Sequence, residues 1–238
     1  MRRHKLGILG LSEVRWKEGE DFESEGFRVC YAGGKESQRG MAIFLDKEMA
    51  KRVLKVDMVS DRIISVKIKA DPVDLMIIQV YMPTSAHEED EVDEIYDTIE
   101  ELLAKEKGKD YVVITGNWNA VVGEGREGKE IGEYGLGNRN ERGETLVEFC
   151  KRNKFMVTNT WFKKPKRRRY TWIRPGDTGR FQLDYILVRD RYRNSVKDSC
   201  SYPGADADSD HNLVAMTVRI KFKKIVRQKG RKNGIELS

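Results

Sequence analysis

The sequence predicts an α/β sandwich in which two β-sheets face each other and helices cover their outer faces. Many short apolar or alternating stretches follow one another between turn residues, as in hairpins. Only two segments, about Glu88–Lys107 and Glu141–Arg152, have the periodicity of amphipathic helices. We find no internal repeat and no glycine-rich phosphate loop of the Walker type. These observations favour a mainly antiparallel two-sheet fold.

The first half of the chain supplies five predicted strands. Leu6–Leu11 is a short apolar run, and Phe27–Tyr31 and Met41–Leu45 form a pair joined through glycines. Arg62–Ala70 alternates polar and apolar residues, and an Asp-Pro turn leads it into Asp74–Met82. We expect these last two strands to be antiparallel neighbours.

The second half contains both helices and the remaining strands. The first helix has Val92, Ile95, Ile99, Leu102 and Leu103 on one face, and the second buries Leu146, Phe149 and Cys150. The glycine-rich segment 123–137 between them is predicted to be a surface loop. The further predicted strands are Tyr111–Thr115, Phe155–Asn159, Tyr170–Ile173, Phe181–Val188, Ser195–Ser201 and Leu213–Phe222.

Composition indicates one globular domain with a polyanionic partner. The chain has 238 residues and a net charge of +6. Segment 151–180 has eleven Lys/Arg and one Asp, and segment 219–232 has eight Lys/Arg and no acid, so the remainder is net acidic. Clustered basic charge favours a nucleic acid or polyphosphate over a merely soluble surface. We predict a domain over 1–222 and a basic linker or tail over 223–238.

Location is predicted from cysteine usage and from the absence of membrane signals. Cys30, Cys150 and Cys200 are odd in number and lack metal-ligand spacing, which is typical of reduced core thiols. No apolar run is long enough for a membrane span, and the basic N-terminus is followed by too short an apolar run for a signal peptide. We expect a nuclear or cytoplasmic protein without a membrane partner.

Polar residues at the ends of predicted strands indicate one shared site. Asp184 lies in an apolar strand and needs a donor, and His211 is the histidine best placed to supply one, since His4 and His87 lie in polar segments. Asp210 precedes His211 and adds a carboxylate that faces metal or water. An Asp–His pair favours the imidazolium form, which stabilises a developing phosphoryl charge.

Four further residues are candidates for the same site. Glu13 follows a strand and could bind Mg²⁺, although a solvated loop acid would look the same. Tyr81 could contact a phosphate, or be an aromatic residue at a strand end. Asn117 and Asn119 could position phosphate or water, or close a turn. Together with the Asp–His pair, these residues predict metal-assisted hydrolysis of a phosphate ester.

Five ordered motifs resemble those of the endonuclease–exonuclease–phosphatase superfamily. They are Ser12-Glu13, Tyr81-Met82-Pro83-Thr84, Gly116-Asn117-Trp118-Asn119-Ala120, Gln182-Leu183-Asp184-Tyr185-Ile186-Leu187 and Ser209-Asp210-His211. Within it, the sequence is most similar to the apurinic-type endonuclease domains of RTE/LINE-like non-LTR retrotransposons and to the craniofacial development protein family descended from them. The resemblance covers roughly Leu6 to Lys223 and implies a DNase I-like four-layer sandwich.

The resemblance also implies roles for the candidate residues. Glu13 and Asp210 would lie at the Mg²⁺ or Mn²⁺ site, while Tyr81 and Asn119 would contact the scissile phosphate. Asp184 would orient His211, and water would attack a DNA phosphodiester to leave a nick. The residues implied to grip the DNA backbone are Lys163, Lys164, Lys166, Arg167, Arg168, Arg169, Arg174 and Arg180.

The chain departs from the superfamily pattern in two places. The position of Asn117 is ordinarily an Asp that aligns or deprotonates the attacking water, and an amide cannot accept that proton. Superfamily members also begin with a strand and a helix before the equivalent of Leu6–Leu11, so a first strand is expected to be missing. A second copy of the chain could supply it, which predicts self-association through that edge.

Three functions therefore remain open from the sequence. The first is a Mg²⁺-dependent DNA endonuclease of retrotransposon origin, impaired by Asn117 and by truncation at the front. The second is a descendant that keeps only DNA or protein binding. The third is a phosphatase of the same superfamily, which the basic clusters disfavour because they suit a long polyanion.

Overall fold

The strands form two main sheets and two small hairpins. The computed structural model describes residues 1–35, 38–84, 87–106, 108–205 and 209–220. Its strands are β1 (Ile8–Ser12), β2 (Gly19–Ser24), β3 (Phe27–Ala32), β4 (Met41–Leu45), β5 (Val53–Ser60), β6 (Ile63–Ile68), β7 (Leu75–Tyr81), β8 (Tyr111–Asn117), β9 (Phe155–Val157), β10 (Trp172–Ile173), β11 (Arg180–Phe181), β12 (Asp184–Arg189), β13 (Val196–Tyr202) and β14 (Leu213–Val218). The helices are α1 (Lys47–Ala50), α2 (Glu89–Lys105) and α3 (Glu141–Asn153).

The two sheets have simple strand orders. One has the order β1-β4-β3-β2, and the other has the order β5-β6-β7-β8-β12-β9. Only β7 and β8 pair in parallel within the six-stranded sheet, because α2 connects them. β6 and β7 pair antiparallel, as the sequence predicts, with Ile63 opposite Val80.

Two apolar layers cover the faces of the six-stranded sheet. On one face, the buried side of α2 and α3 packs on alternate residues such as Ile78, Ile114 and Leu187. On the other face, residues of opposite parity, such as Ile77 and Val113, pack against the four-stranded sheet. Side chains alternate between faces along a strand, so the strands buried on both faces are apolar at nearly every position. The predicted sandwich with outer helices is confirmed.

The α-helices begin and end at residues suited to those positions. The side chain of Asn140 caps α3 by accepting a hydrogen bond from the backbone N–H of Gly143, and Lys154 ends it in a left-handed conformation. Acidic residues fill the first turn of α2, where the helix dipole favours negative charge. The predicted helix reaches Lys107, which lies outside the described residues.

Some boundaries differ from the sequence prediction. β2 and β5 were not predicted, because their sequences GEDFES and VLKVDMVS carry charged residues that hide the alternation of edge strands. The strand predicted over Phe155–Asn159 ends at Val157, where a 3₁₀ turn of residues 158–160 begins. The predicted tail 223–238 and the last two residues of the predicted domain lie outside the described residues.

Three further expectations concern edges, thiols and membranes. β1 is an edge strand with β4 as its partner, and β14 pairs with β13 in a separate hairpin. The three cysteines are free and buried, in agreement with the prediction of core thiols. Among the helices of the described ranges, none has the length and apolar character needed to cross a membrane. The domain boundary, the cellular location and self-association stay predictions.

Candidate active site

Three candidate residues stand side by side at one end of the six-stranded sheet. In the register of the sheet, Tyr81 on β7 lies beside Asn117 on β8, and Asn117 lies opposite Asp184 on β12. Paired residues on neighbouring strands point to the same face. Their parity is that of Ile77, Val113 and the other residues between the sheets. The three side chains therefore line the end of the inter-sheet layer.

Asp184 and His211 form the pair that the sequence predicts. Their Oδ2 and Nδ1 atoms are 2.9 Å apart, and both side chains are largely buried. The hydroxyl of Thr171 holds the strand start by accepting hydrogen bonds from the backbone N–H groups of Leu183 and Asp184. Asn212 N donates to Thr171 O, so one short segment ties both members of the pair together.

The surroundings of His211 favour its cationic form. Burial of the imidazole lowers its pKa, but the hydrogen bond and charge of Asp184, with smaller effects from Asp210 and Glu13, raise it above its ordinary value. Glu13 and Asp210 therefore both lie close enough to the imidazole to influence its charge. The site therefore brings together one histidine and three acidic side chains.

Glu13 and Tyr81 meet from opposite sheets. Glu13 follows β1 in a left-handed conformation (φ 57°), and its carboxylate is close enough to the Tyr81 hydroxyl to act on its pKa. Burial and this contact raise the pKa of Tyr81 to about 12, although Arg62 and Arg39 act in the opposite direction. The phenol is thus protonated at neutral pH. Ser12 is held in turn by a 3.3 Å hydrogen bond from Gln79 Nε2.

The loop after β8 is fixed by its own amides. Asn117 Oδ1 accepts a 2.9 Å hydrogen bond from the backbone N–H of Asn119, and Asn119 Nδ2 donates to Met82 O at 2.7 Å. Trp118 N donates to Leu183 O at 2.9 Å. A carboxylate at position 117 would keep the same contact with one oxygen and leave the other for water. The Asn117 amide therefore keeps the contact with Asn119 but offers no second oxygen.

Asp210 is oriented by a tryptophan. Trp172 Nε1 donates a hydrogen bond to Asp210 Oδ2 at 2.7 Å. The backbones of Trp172 and His211 also pair as an isolated antiparallel β-bridge. Mg²⁺ commonly uses only one or two carboxylates, with water and phosphate as its other ligands. Glu13 and Asp210 fit that requirement by donor type, although the described residues contain no cluster of three or more potential ligands.

The eight basic residues expected to grip DNA divide into two groups. Three are engaged within the protein: Lys164 with Asp198, Arg168 with Tyr202 and Ser201, and Arg169 with Glu124 and Gly135. The other five are exposed: Lys163, Lys166, Arg167, Arg174 and Arg180. Of these, Arg174 lies over Phe181, and Arg180 pairs with Asp177. The exposed group is divided between the 163–169 segment and the β10–β11 hairpin, and that hairpin contacts Asp210 and His211 through Trp172.

Sequence reasoning missed the arginines beside Tyr81. The side chain of Arg62 is 7% exposed, its guanidinium lies 5.3 Å from the centre of the Tyr81 ring, and its closest acid is Glu91 at 3.7 Å. Burial, and after it the neighbouring Arg39, lower the pKa of Arg62. In the sequence, Arg62 is a single arginine at the start of an apolar strand. That pattern does not distinguish a functional-site arginine from an ordinary surface arginine.

Comparison with solved structures reveals the same fold in several nucleic-acid enzymes. An AP endonuclease of Leishmania major, LMAP, superposes with a TM-score of 0.70 over 92% of this chain and 80% of that one, at 14% identity. The endonuclease domain of the telomere-specific non-LTR retrotransposon TRAS1 gives 0.65 over 92% and 88%, at 14% identity. A Neisseria 3′ phosphatase, NExo, bound to product DNA gives 0.64 over 90% and 89%, at 16% identity.

The fold is therefore that of the endonuclease–exonuclease–phosphatase domains, and the resemblance of the motifs is confirmed at this level. In sequence the chain is similar to craniofacial development protein 2 of Bos taurus, with 39% identity over 224 residues, 94% of this chain. It spans 38% of the length of that relative. No protein-family model matches the chain.

Proposed function

We propose that this domain binds DNA and has the site of a metal-assisted phosphodiesterase of retrotransposon origin, in which Asn117 impairs the activation of water. The observation that carries the proposal is the alignment of Tyr81, Asn117 and Asp184 on adjacent strands, with His211 paired to Asp184. Such an arrangement presents an imidazolium, amides and carboxylates to one small ligand. A phosphate oxygen is the ligand that these donors suit.

In hydrolysis, the oxygen of water would bond to phosphorus while the bond from phosphorus to the leaving oxygen breaks. His211, held as a cation by Asp184, would donate a hydrogen bond to a non-bridging oxygen as negative charge develops. Asn119 and Tyr81 would position the phosphate from the adjacent strands. The leaving oxygen takes up a proton, and the attacking water must lose one.

Glu13 and Asp210 would hold the divalent cation. When bound, Mg²⁺ or Mn²⁺ would polarise the phosphate and neutralise part of its charge. The hydrogen bond from Trp172 leaves Asp210 Oδ1 available for this purpose. Arg62 and Arg39, close to Tyr81, add positive charge where a polyanion would approach.

Asn117 is the weak point of this site as a catalyst. An amide cannot accept the proton of the attacking water, and loss of a general base commonly reduces the rate on the order of a hundredfold or more. This residue favours a second candidate function, in which the domain only binds DNA or protein. A phosphatase of the same fold is the third, and the fold of the Neisseria 3′ phosphatase keeps it in consideration.

A plasmid-nicking assay tests the proposal. Supercoiled DNA would be incubated with Mg²⁺ and this chain, with Asn117→Asp, and with Asn117→Asp combined with His211→Ala. We expect Asn117→Asp to raise nicking about a hundredfold and the added His211→Ala to abolish the gain. If no version nicks although all bind DNA, the catalytic proposal fails and the binding function stands. Hydrolysis of a small phosphomonoester without nicking would favour the phosphatase.

A further inference from the structure

Backbone hydrogen bonds join two loops, one of which begins at Glu13. We call this unit the front rim: it comprises residues 13–18 after β1 and the described residues of 33–40 between β3 and β4. Val14 N donates to Gly40 O at 3.2 Å, Arg15 N to Arg39 O at 2.8 Å, and Glu18 N to Gly34 O at 3.2 Å. These backbone contacts fix the rim before any ligand binds.

The first loop of the front rim contains three residues in the left-handed region of the backbone. Glu13, Arg15 and Glu18 are left-handed, with φ of 57°, 57° and 63°. Each such non-glycine residue costs about 1 kcal/mol or more, and this kind of strain is concentrated at functional sites. Two side chains of this loop are exposed, Arg15 at 69% and Trp16 at 39%.

The front rim exposes cations and one aromatic side chain, together with the acids Glu13 and Glu18. Arg15 and Lys17 flank Trp16, and Arg39 follows on the second loop. Trp16 packs edge-on against Tyr31 with ring centres 5.0 Å apart, so the indole is already ordered. Nearby acids pair only loosely with these cations: Glu13 lies 3.7 Å from Arg15, and Asp61 lies 3.8 Å from Arg39. Basic residues around an aromatic side chain are typical of nucleic-acid contacts.

The rim lies across the site from the 163–180 basic segment. Gly40 N bonds to Asp61 O, which ties the rim to the turn before β6, whereas residues 163–169 follow β9. The six-stranded sheet runs β6-β7-β8-β12-β9 between these two places. Four inter-strand steps span roughly 19 Å. Since each DNA strand carries one phosphate per 3.4 Å of helix axis, this span corresponds to about five to six base pairs.

We propose that the front rim is a second DNA-contacting wall, in which Arg15, Lys17 and Arg39 bind backbone phosphates and Trp16 packs against the sugar-base surface between them. The proposal deepens the DNA-binding function above and rests on it. It locates the scissile phosphate between two basic walls instead of at the edge of one. Lys164, Arg168 and Arg169 are engaged within the protein. The proposal therefore assigns to the rim some of the phosphate contacts that these three residues would otherwise make.

Salt-dependent binding tests the wall. Fluorescence anisotropy with a labelled 20-base-pair duplex would compare this chain with the double variant Arg15→Gln/Lys17→Gln. The matched control is Lys47→Gln/Lys51→Gln, which removes the same charge around α1, after the opposite end of β4. Circular dichroism and urea unfolding would establish that all variants are folded.

Loss of two phosphate contacts should reduce the steepness of the plot of log association constant against log salt concentration by about 1.8. If the two lines meet at about 1 M salt, this corresponds to roughly 60-fold weaker binding at 0.1 M salt. The control should bind within twofold of the unaltered chain. Trp16→Ala should weaken binding roughly tenfold without changing the slope.

Two outcomes would overturn the proposal. One refutes only the second wall, and the other also refutes the DNA-binding function. If the unaltered chain binds DNA and the rim variant has the same slope, the second wall is wrong while the DNA-binding function stands. In that case the exposed apolar side chains of Trp16 and Met58 favour a protein partner for the rim. If neither chain binds DNA at any salt concentration, both proposals fail together.

Discussion

Asp184→Asn should destabilise the domain more at pH 5.5 than at pH 9. The folded-state pKa of His211 is raised above its ordinary value. The resulting stabilisation is fully present below the unfolded-state pKa of about 6.5 and is lost as the pH rises through the folded-state value. Asn removes the charge that favours the imidazolium but keeps an oxygen that can accept a hydrogen bond from Nδ1.

The expected magnitude follows from the geometry of the pair. The two atoms are 2.9 Å apart, and the side chains of His211 and Asp184 are only 27% and 17% exposed, so solvent screens the interaction weakly. A charge-assisted hydrogen bond contributes about 1.5–3 kcal/mol and a neutral one about 0.5–1.5 kcal/mol. The loss of unfolding free energy caused by Asp184→Asn should therefore be about 1 kcal/mol larger at pH 5.5 than at pH 9.

Urea unfolding followed by tryptophan fluorescence, with a chelator present, measures this difference. Asp177→Asn is the control, because Asp177 forms an exposed ion pair with Arg180 and should cost little at either pH. An equal loss for Asp184→Asn at both pH values would mean that His211 is not held as a cation. The charge-stabilising role assigned to it would then be wrong.

Two further predictions concern the supports of the site. At Gly116 (φ +148°) an added Cβ would lie 1.9 Å from Val80 O, whereas at Gly125 (φ +106°) it meets nothing within 4 Å. Gly116→Ala should therefore cost more than about 4 kcal/mol of unfolding free energy and Gly125→Ala only about 1–2 kcal/mol, and similar losses in urea unfolding would contradict the steric argument. Trp172→Phe removes the N–H donor to Asp210 and should weaken Mn²⁺ binding about tenfold in calorimetric titration; unchanged affinity would show that Asp210 does not depend on that donor.

The sequence predicted the site better than its surroundings. The pairing of Asp184 with His211 followed from chemistry alone, since a carboxylate within an apolar strand needs a donor. The alignment of Asn117 between Tyr81 and Asp184 followed less directly. It depends on strand register, which local sequence does not determine.

The missed features depend on contacts between distant parts of the chain. Arg168 was expected to face DNA, but it stacks on Tyr202, whose ring centre lies 4.3 Å from the guanidinium. Arg62 became a site residue only because β6 lies beside β7 in the sheet. Charge counts identify a basic segment but cannot determine which of its members the fold engages internally.

The ladder that joins Tyr81, Asn117 and Asp184 also has a consequence for dynamics. These residues lie at one end of strands that pair within the buried sheet, so we expect their amide hydrogens to exchange more slowly than those of the surrounding loops. Asp210 and His211 instead lie in the connection between β13 and β14, outside that sheet. The half of the site that lies on the six-stranded sheet should therefore be the slower to exchange. Any local opening that admits a substrate should involve the half that carries His211.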